Sequence, residues 1–252
     1  MAEFGADTHP PTVSRPRSSH STQGPPVRHK RGQPMKSRVK LIVWGAGGHA
    51  AVVADIIQRG TNHQLAGFID DINPTRKGQP FGGGTILGGQ AELVKLHAAG
   101  VKHLHVAIGN NAARIKAAAR AKELGFSLVT IISPSADVAV NVQIGAGTFV
   151  APGAVVTPGV CIGECVIINT SASVDHHCTI ADGAHICPGV HLAGGVSVGN
   201  GAWVGIGATV IENIRIGSGA TVGAGAVVVR DIPENTLAYG VPARLVRRMD
   251  GA

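Results

Sequence analysis

From Ile132 onward one spacing governs this chain: every sixth residue is aliphatic. The series begins Ile132, Val138, Ile144, Val150, Val156 and continues to Val222 and Val228, seventeen positions with no insertion. Four places after most of them stands a small or β-branched residue, among them Ala136, Thr148, Ala154, Ala172, Cys178, Ala184 and Ala202, and glycine is frequent one and three places after, as in Ile144-Gly145-Ala146-Gly147. A period of six fits neither the helical repeat nor the two-residue alternation of hairpins; it suits short strands joined by two-residue corners. Three such hexads close a triangular coil of roughly 18 residues, with aliphatics stacked inside and glycines supplying positive φ at some corners. The pattern predicts a parallel β-helix over 132–232, with the residues of each hexad that are neither the aliphatic nor its fourth successor facing outward, and a tail over 233–252 that Pro233 and Pro242 divert from the strand pattern.

Composition agrees with that core. Of 252 residues 44% are hydrophobic but only 3% aromatic, so small aliphatics must fill the interior. No apolar run approaches the roughly 18 residues of a membrane span, and a soluble, cytoplasmic protein is expected. The net charge of +7 is unevenly placed. Seven Lys/Arg against two acids lie in residues 1 to 38, and none lies between Lys122 and Arg215. A nucleic-acid groove along the repeat would lack its phosphate-neutralising cations, which argues against that partner. The basic stretch 1–37, rich in Pro, Ser, Arg and His without apolar period, reads as a disordered extension. Cys161, Cys165, Cys178 and Cys187 form no CxxC pair and read as reduced thiols.

Residues 38–131 follow another plan. An apolar strand, Val39 to Trp44, runs into Gly45-Ala46-Gly47-Gly48-His49 and a helix over about 50–59. A second strand over 65–69 ends at Asp70-Asp71; a helix near 90–99, a third strand near 104–108, the cap Gly109-Asn110-Asn111, a helix over 112–124 and a short strand near 127–131 complete the alternation. This predicts a small Rossmann-like α/β domain with a parallel sheet of about four strands. The turn lets phosphate approach a helix N-terminus, and an acid follows 25 or 26 residues after Gly45. Four strands are too few for both halves of a nicotinamide dinucleotide site, which favours a nucleotide or nucleotide-sugar ligand over that cofactor. A glycine turn that serves only packing is the other reading.

In the repeat the polar residues stand out. Asp175, His176 and His177 share a corner; one coil above His176 is Gly194 and one below is Pro158, so the glycine would leave room for a substrate and aim an N–H at an oxyanion. Asn169 precedes that corner, and His185 points outward on a neighbouring face between Ile167 and Trp203. A surface histidine can equally be merely solvated, and zinc is the sharper rival. His185 and His191 hold the same hexad position on successive faces, so they diverge within one chain and would share a metal only across an oligomer. Cys178 points inward, which disfavours a cysteine nucleophile. Arg215, Arg230, Arg244, Arg247 and Arg248 return cations only at the far end of the coils.

Together, Gly45-Ala46-Gly47-Gly48-His49, Phe68-Ile69-Asp70-Asp71, Ala107-Ile108-Gly109-Asn110-Asn111, Asn169-Thr170-Ser171, His176-x-Cys178, His185 and Gly240-Val241-Pro242-Ala243-Arg244 carry a resemblance. The chain from about Lys40 to Arg247 resembles the bacterial sugar acyltransferases of the hexapeptide-repeat type, including the UDP-4-amino-sugar and GDP-perosamine N-acetyltransferases and the sialic acid O-acetyltransferases. The resemblance implies a left-handed β-helix and a homotrimer with sites between subunits. It also implies acetyl-CoA as co-substrate with neither metal nor acyl-enzyme. His176 would be the general base, with Asp175 and Asn169 beside it in the catalytic set; His185, Gly194 and Ile206 would meet acetyl-CoA; Gly47, Gly48, His49, Asp70, Asp71 and Gly109 would hold the nucleotide-sugar. One departure is His177, where several relatives place an acid; Asp175 or a neighbouring subunit would then orient the base. The implied activity is N-acetylation of a nucleotide-linked amino sugar for surface glycan synthesis. Sugar O-acetylation, a noncatalytic nucleotide-sugar-binding trimer and a metal-dependent β-helix hydratase are the alternatives.

Overall fold

The computed structural model describes residues 38–249; the expected extension over 1–37 lies outside them. The first unit is built from β1 (Val39–Trp44), α1 (Gly48–Gly60), β2 (His63–Ile69), β3 (Pro80–Phe81), β4 (Gly84–Gly88), α2 (Glu92–Ala98), β5 (His103–Val106), α3 (Asn111–Glu123) and β6 (Ser127–Leu128). Its sheet has six strands in the order β3-β4-β2-β1-β5-β6, not the four expected. All pairings are parallel except β3 with β4. The missed pair hides in Pro80-Phe81-Gly82-Gly83-Gly84, where the hairpin glycines, not an apolar run, carry the signal. Because β1 lies between β2 and β5, the chain reverses its direction of winding there, and a crevice opens beyond the strands' carboxyl ends.

From Ile131 the chain forms the parallel β-helix. Its strands, mostly two residues long, stack on three faces of eight, six and five strands. The first face carries Ile131–Ile132, Phe149–Val150, Ile167–Ile168, His185–Ile186 and Trp203–Val204; the second Asp137–Val138 through Val227–Val228; the third Gln143–Ile144 through Arg215–Ile216. Partners are 18 positions apart, as in Phe149↔Ile167 and Ile167↔His185. The aliphatics from Val150 to Val228 and the small residues four later are buried, forming one continuous core. Ile132 is 38% exposed, since the terminal coil has no coil beneath it. The strand Ile131–Ile132 straddles the 131/132 position at which the period begins. At the other end, Thr236–Gly240 pairs in parallel with Thr221–Val222 and turns back antiparallel into Ala243–Arg248, so the strand pattern continues past Pro233 and Pro242.

The outward-facing rule holds on two faces and fails on the first. Phe149, Ile167 and His185 precede their aliphatics, as the exposed Cys161 and Thr179 do, yet all three are buried. For Phe149 and Ile167 the reason is α1, whose Ala50, Val53 and Ile57 join Leu41 and Val43 on one side and Ile131, Phe149 and Ile167 on the other in a single apolar cluster; His185 instead meets the Gly109 backbone at the start of α3 and Trp203. The opposite side of the sheet packs Ile42, Trp44 and Leu104 against Leu93, Ala117 and Ala121. Among the described residues no helix is long and apolar enough to cross a membrane.

Candidate active site

The crevice at the end of β1 is a cleft of about 740 Å³. Gly45 to Gly47, Asp70 to Asn73, Trp44, Arg76 and the face of α3 bearing Ala113, Lys116 and Arg120 line it. Gly45 is obligatory: it has φ of +132°, and a Cβ there would lie 2.4 Å from the Ala107 carbonyl oxygen. Both acids are locked in place. The Trp44 indole N–H donates to Asp71 Oδ2 at 2.8 Å, and the Gln90 N–H donates to Asp71 Oδ1 at 2.6 Å. Asp70 Oδ1 accepts from the Ile72 and Asn73 N–H groups, while its Oδ2 pairs with Arg76 Nη1 at 2.9 Å. The same guanidinium reaches the Ala46 carbonyl, tying the glycine turn to the acid loop.

Of the residues expected to hold a nucleotide-sugar, Gly47, Asp70 and Asp71 line this cleft and Gly48, His49 and Gly109 do not. His49 turns instead toward the β-helix, edge-on to Phe149 with ring centroids 4.9 Å apart. Sequence reading also missed Trp44, Arg76, Lys116 and Arg120. The spacing of the last two, four apart on α3, was the available signal for a basic face.

On the β-helix the expected catalytic residues fall into two groups on different corners of the coil. At the corner between the second and third faces, Asp175 Oδ1 accepts from the His176 N–H at 2.8 Å and from Thr157 Oγ1 at 3.1 Å. These bonds, the backbone one foremost, hold the Asp175 carboxyl below its ordinary range. Asp175 thus grips the backbone of His176; it is His177 that meets the ring, Nδ1 to Nδ1 at 3.1 Å. His177 has φ of +59°, a left-handed corner conformation that directs it over Gly159. Gly194 makes room for the His176 imidazole itself, and its N–H donates to no acceptor among the described residues. Beside Asp175 runs a groove of about 290 Å³ lined by Thr157, Ser173 and His191.

At the first face, Asn169 Oδ1 accepts the Thr170 N–H, so its amide nitrogen is the atom 3.0 Å from His185 Nε2. The imidazole therefore accepts at Nε2, and its Nδ1 faces the Gly109 backbone without closing a full hydrogen bond. Burial, followed by the charge of Arg114, pushes His185 down to about 4. It lies beneath the α/β unit and against Trp203, 4.3 Å between centroids, not on an open face. Ile206 stands exposed at the corner beyond. His185 and His191 diverge onto the first and second faces, and the described residues contain no group of three metal-ligating side chains. Burial raises the thiols of Cys165, to about 11, and Cys187, to about 12, and that of Cys178 as well, which disfavours the thiolate a nucleophile would need at all three.

The model of the PglD N-terminal domain matches residues 40–121. A histidine-to-asparagine variant of perosamine N-acetyltransferase from Caulobacter crescentus, described in complex with CoA and GDP-perosamine, superposes with a TM-score of 0.79 and 41% identity, covering 82% of this chain and 97% of its own. The chain belongs to the sugar acyltransferase family of hexapeptide-repeat proteins. Two further relatives align with this acyltransferase over their full length. The acetyltransferase domain of PglB from Neisseria gonorrhoeae, in complex with acetyl coenzyme A, has a TM-score of 0.78 and 37% identity over 84% of this chain and 100% of its own. WeeI from Acinetobacter baumannii has a TM-score of 0.75 and 26% identity over 82% and 100%. No curated protein matches the sequence at a significant level.

Proposed function

We propose that this acyltransferase moves an acetyl group from acetyl-CoA to the amine of a nucleotide-linked sugar, with His176 as general base. The observation that carries the reading is the exposed His176 imidazole: its Nδ1 is engaged by His177, while among the described residues Nε2 has no partner and the neighbouring Gly194 N–H meets no acceptor. Nε2 takes a proton from the attacking amine as nitrogen bonds to the thioester carbon, and Gly194 N–H donates to the carbonyl oxygen as it becomes an oxyanion. Collapse breaks the C–S bond, and the proton leaves with the CoA thiolate. Asp175 fixes the corner backbone.

The cleft at the end of β1 would take the nucleotide, with Asp70 and Asp71 toward its polar groups and Lys116 toward phosphate. The Caulobacter relative, described with both CoA and GDP-perosamine, supports this assignment of ligand classes. Asn169 and His185 lie on another corner from His176, which favours sites completed between copies of the chain, as in a homotrimer, with His185 and Ile206 toward acetyl-CoA. Surface glycan synthesis in the cytoplasm is the setting in which such a product is used.

Thiol release from acetyl-CoA, followed across UDP- and dTDP-4-amino sugars, GDP-perosamine and sialic acid acceptors, tests the proposal. Turnover of one amino sugar, abolished in His176→Ala, is expected. Turnover confined to a hydroxyl acceptor would replace amine by oxygen transfer, and full activity without His176 would remove the base.

A further inference from the structure

The largest fully buried side chain of the described residues is cationic: Arg114, 1% exposed, on the first turns of α3. Among the described residues it has no carboxylate partner. Its donors go to oxygens of both units. Nη1 bonds the carbonyls of Ile108 and Gly109 at 2.9 and 3.0 Å, just after β5, where Ile108 lines the cleft. Nε bonds the Cys165 carbonyl at 2.8 Å, and Nη2 bonds the Gly183 carbonyl at 2.9 Å. Nη2 also donates to Asn111 Oδ1, and the Asn111 amide continues to the carbonyls of Gly201 and Ala202.

Residues 165, 183 and 201 are one column of corners, a coil apart, each left-handed with φ of 53°, 64° and 62°. The ladder uses none of their carbonyls as acceptors, so the repeat presents a column of free oxygens along this edge. A planar guanidinium with five donors in a fixed fork suits such a set, where a lysine offers one point charge. The next residues after the gripped carbonyls of Gly183 and Gly201 lead directly into His185 and Trp203.

We propose that Arg114 is a positioning residue for acyl transfer: with Asn111 it fixes the height of the nucleotide-binding unit on the β-helix. A sugar carried by a nucleotide in the cleft then arrives at the acyl-transfer corner in register. The kinetic part rests on the acyl-transfer reading above; the clamp itself does not.

The test compares full-length Arg114→Lys and Arg114→Met with the parent chain. Amide exchange at residues 109–113 and 183–185 quickens about tenfold while the coils over 203–228 keep their protection. With the amino-sugar acceptor, kcat falls up to roughly 100-fold in Arg114→Met, and Arg114→Lys recovers part of it. The KM for acetyl-CoA and the Kd for GDP or UDP stay within about threefold. Unchanged exchange at both ends overturns the clamp, including where the parent chain acetylates no acceptor and the acyl-transfer reading itself has failed. Loosened exchange with unaltered kcat reduces Arg114 to a structural tie, and loss of nucleotide affinity in step with kcat assigns it to the cleft; either result overturns the positioning role.

Discussion

The His176 imidazole occupies the space that a side chain on Gly194 would need: a Cβ there would come within 2.4 Å of Cε1 and 2.8 Å of Nε2. No positive φ requires glycine at this position, so the ring alone accounts for it. The obstructing atoms belong to an exposed side chain that can swing away, so stability is little at risk and the geometry of the base is.

Gly194→Ala therefore lowers kcat by roughly 100-fold, the scale of a displaced reacting group. The thermal midpoint and the Kd for CoA change little. Calorimetry beside the thiol-release assay checks this, and unaltered kcat would separate His176 from the chemistry.

His177 stands where a carboxylate would favour the charged imidazole. Its ring shares one hydrogen between two Nδ1 atoms at 3.1 Å and brings no negative charge. His177→Glu supplies that charge and moves the acid limb of the kcat/KM profile to higher pH, since the base must be neutral to act. Asp175→Asn moves the limb less and in the opposite direction, because Asp175 bonds the backbone and reaches the ring only through its charge. A pH series on both variants decides.

Acid lability is built into the contact between the two units. Burial first, then neighbouring positive groups, pushes His49 to about 3; burial lowers His105 and His185 to about 4. Arg114 faces the same interior, and its own pKa falls to about 10 through burial. Native imidazoles that resist protonation lose ground to the unfolded chain as pH falls below its ordinary value near 6.5. Stability is thus complete above about pH 6.5 and declines toward pH 4, by roughly 1.4 kcal/mol per unit for each fully buried histidine. Urea unfolding between pH 7.5 and 4.5 measures the slope, and His105→Gln flattens it.

In the cleft, Arg76 is paired with Asp70 and Arg120 with Glu123, whereas Lys116 pairs with no acid among the described residues. Lys116→Ala weakens nucleoside diphosphate binding about tenfold, equivalent to ~1.4 kcal/mol, and the loss shrinks with added salt. Titration calorimetry with GDP and UDP at two ionic strengths checks both statements.

Periodicity is information the chain carries locally, and so the β-helix was legible from Ile132 to Val228 residue by residue: each hexad repeats the same inward pair, whatever lies outside. The glycine turn, the acids after β2 and the Asn110 cap of α3 were legible for the same reason, being contacts within a few residues or one βα unit. The fate of outward residues was not. His185 and Thr179 hold equivalent hexad positions, yet one is buried and the other exposed, because α1 and α3 cover only one face and its corner. Docking also turned His49 from the cleft toward Phe149 and made Arg114, an ordinary helix residue by its sequence, a buried tie among carbonyls. A repeat specifies which side chains enter its own core; which of the rest meet solvent or another unit depends on long-range packing, and only the tertiary structure decides it.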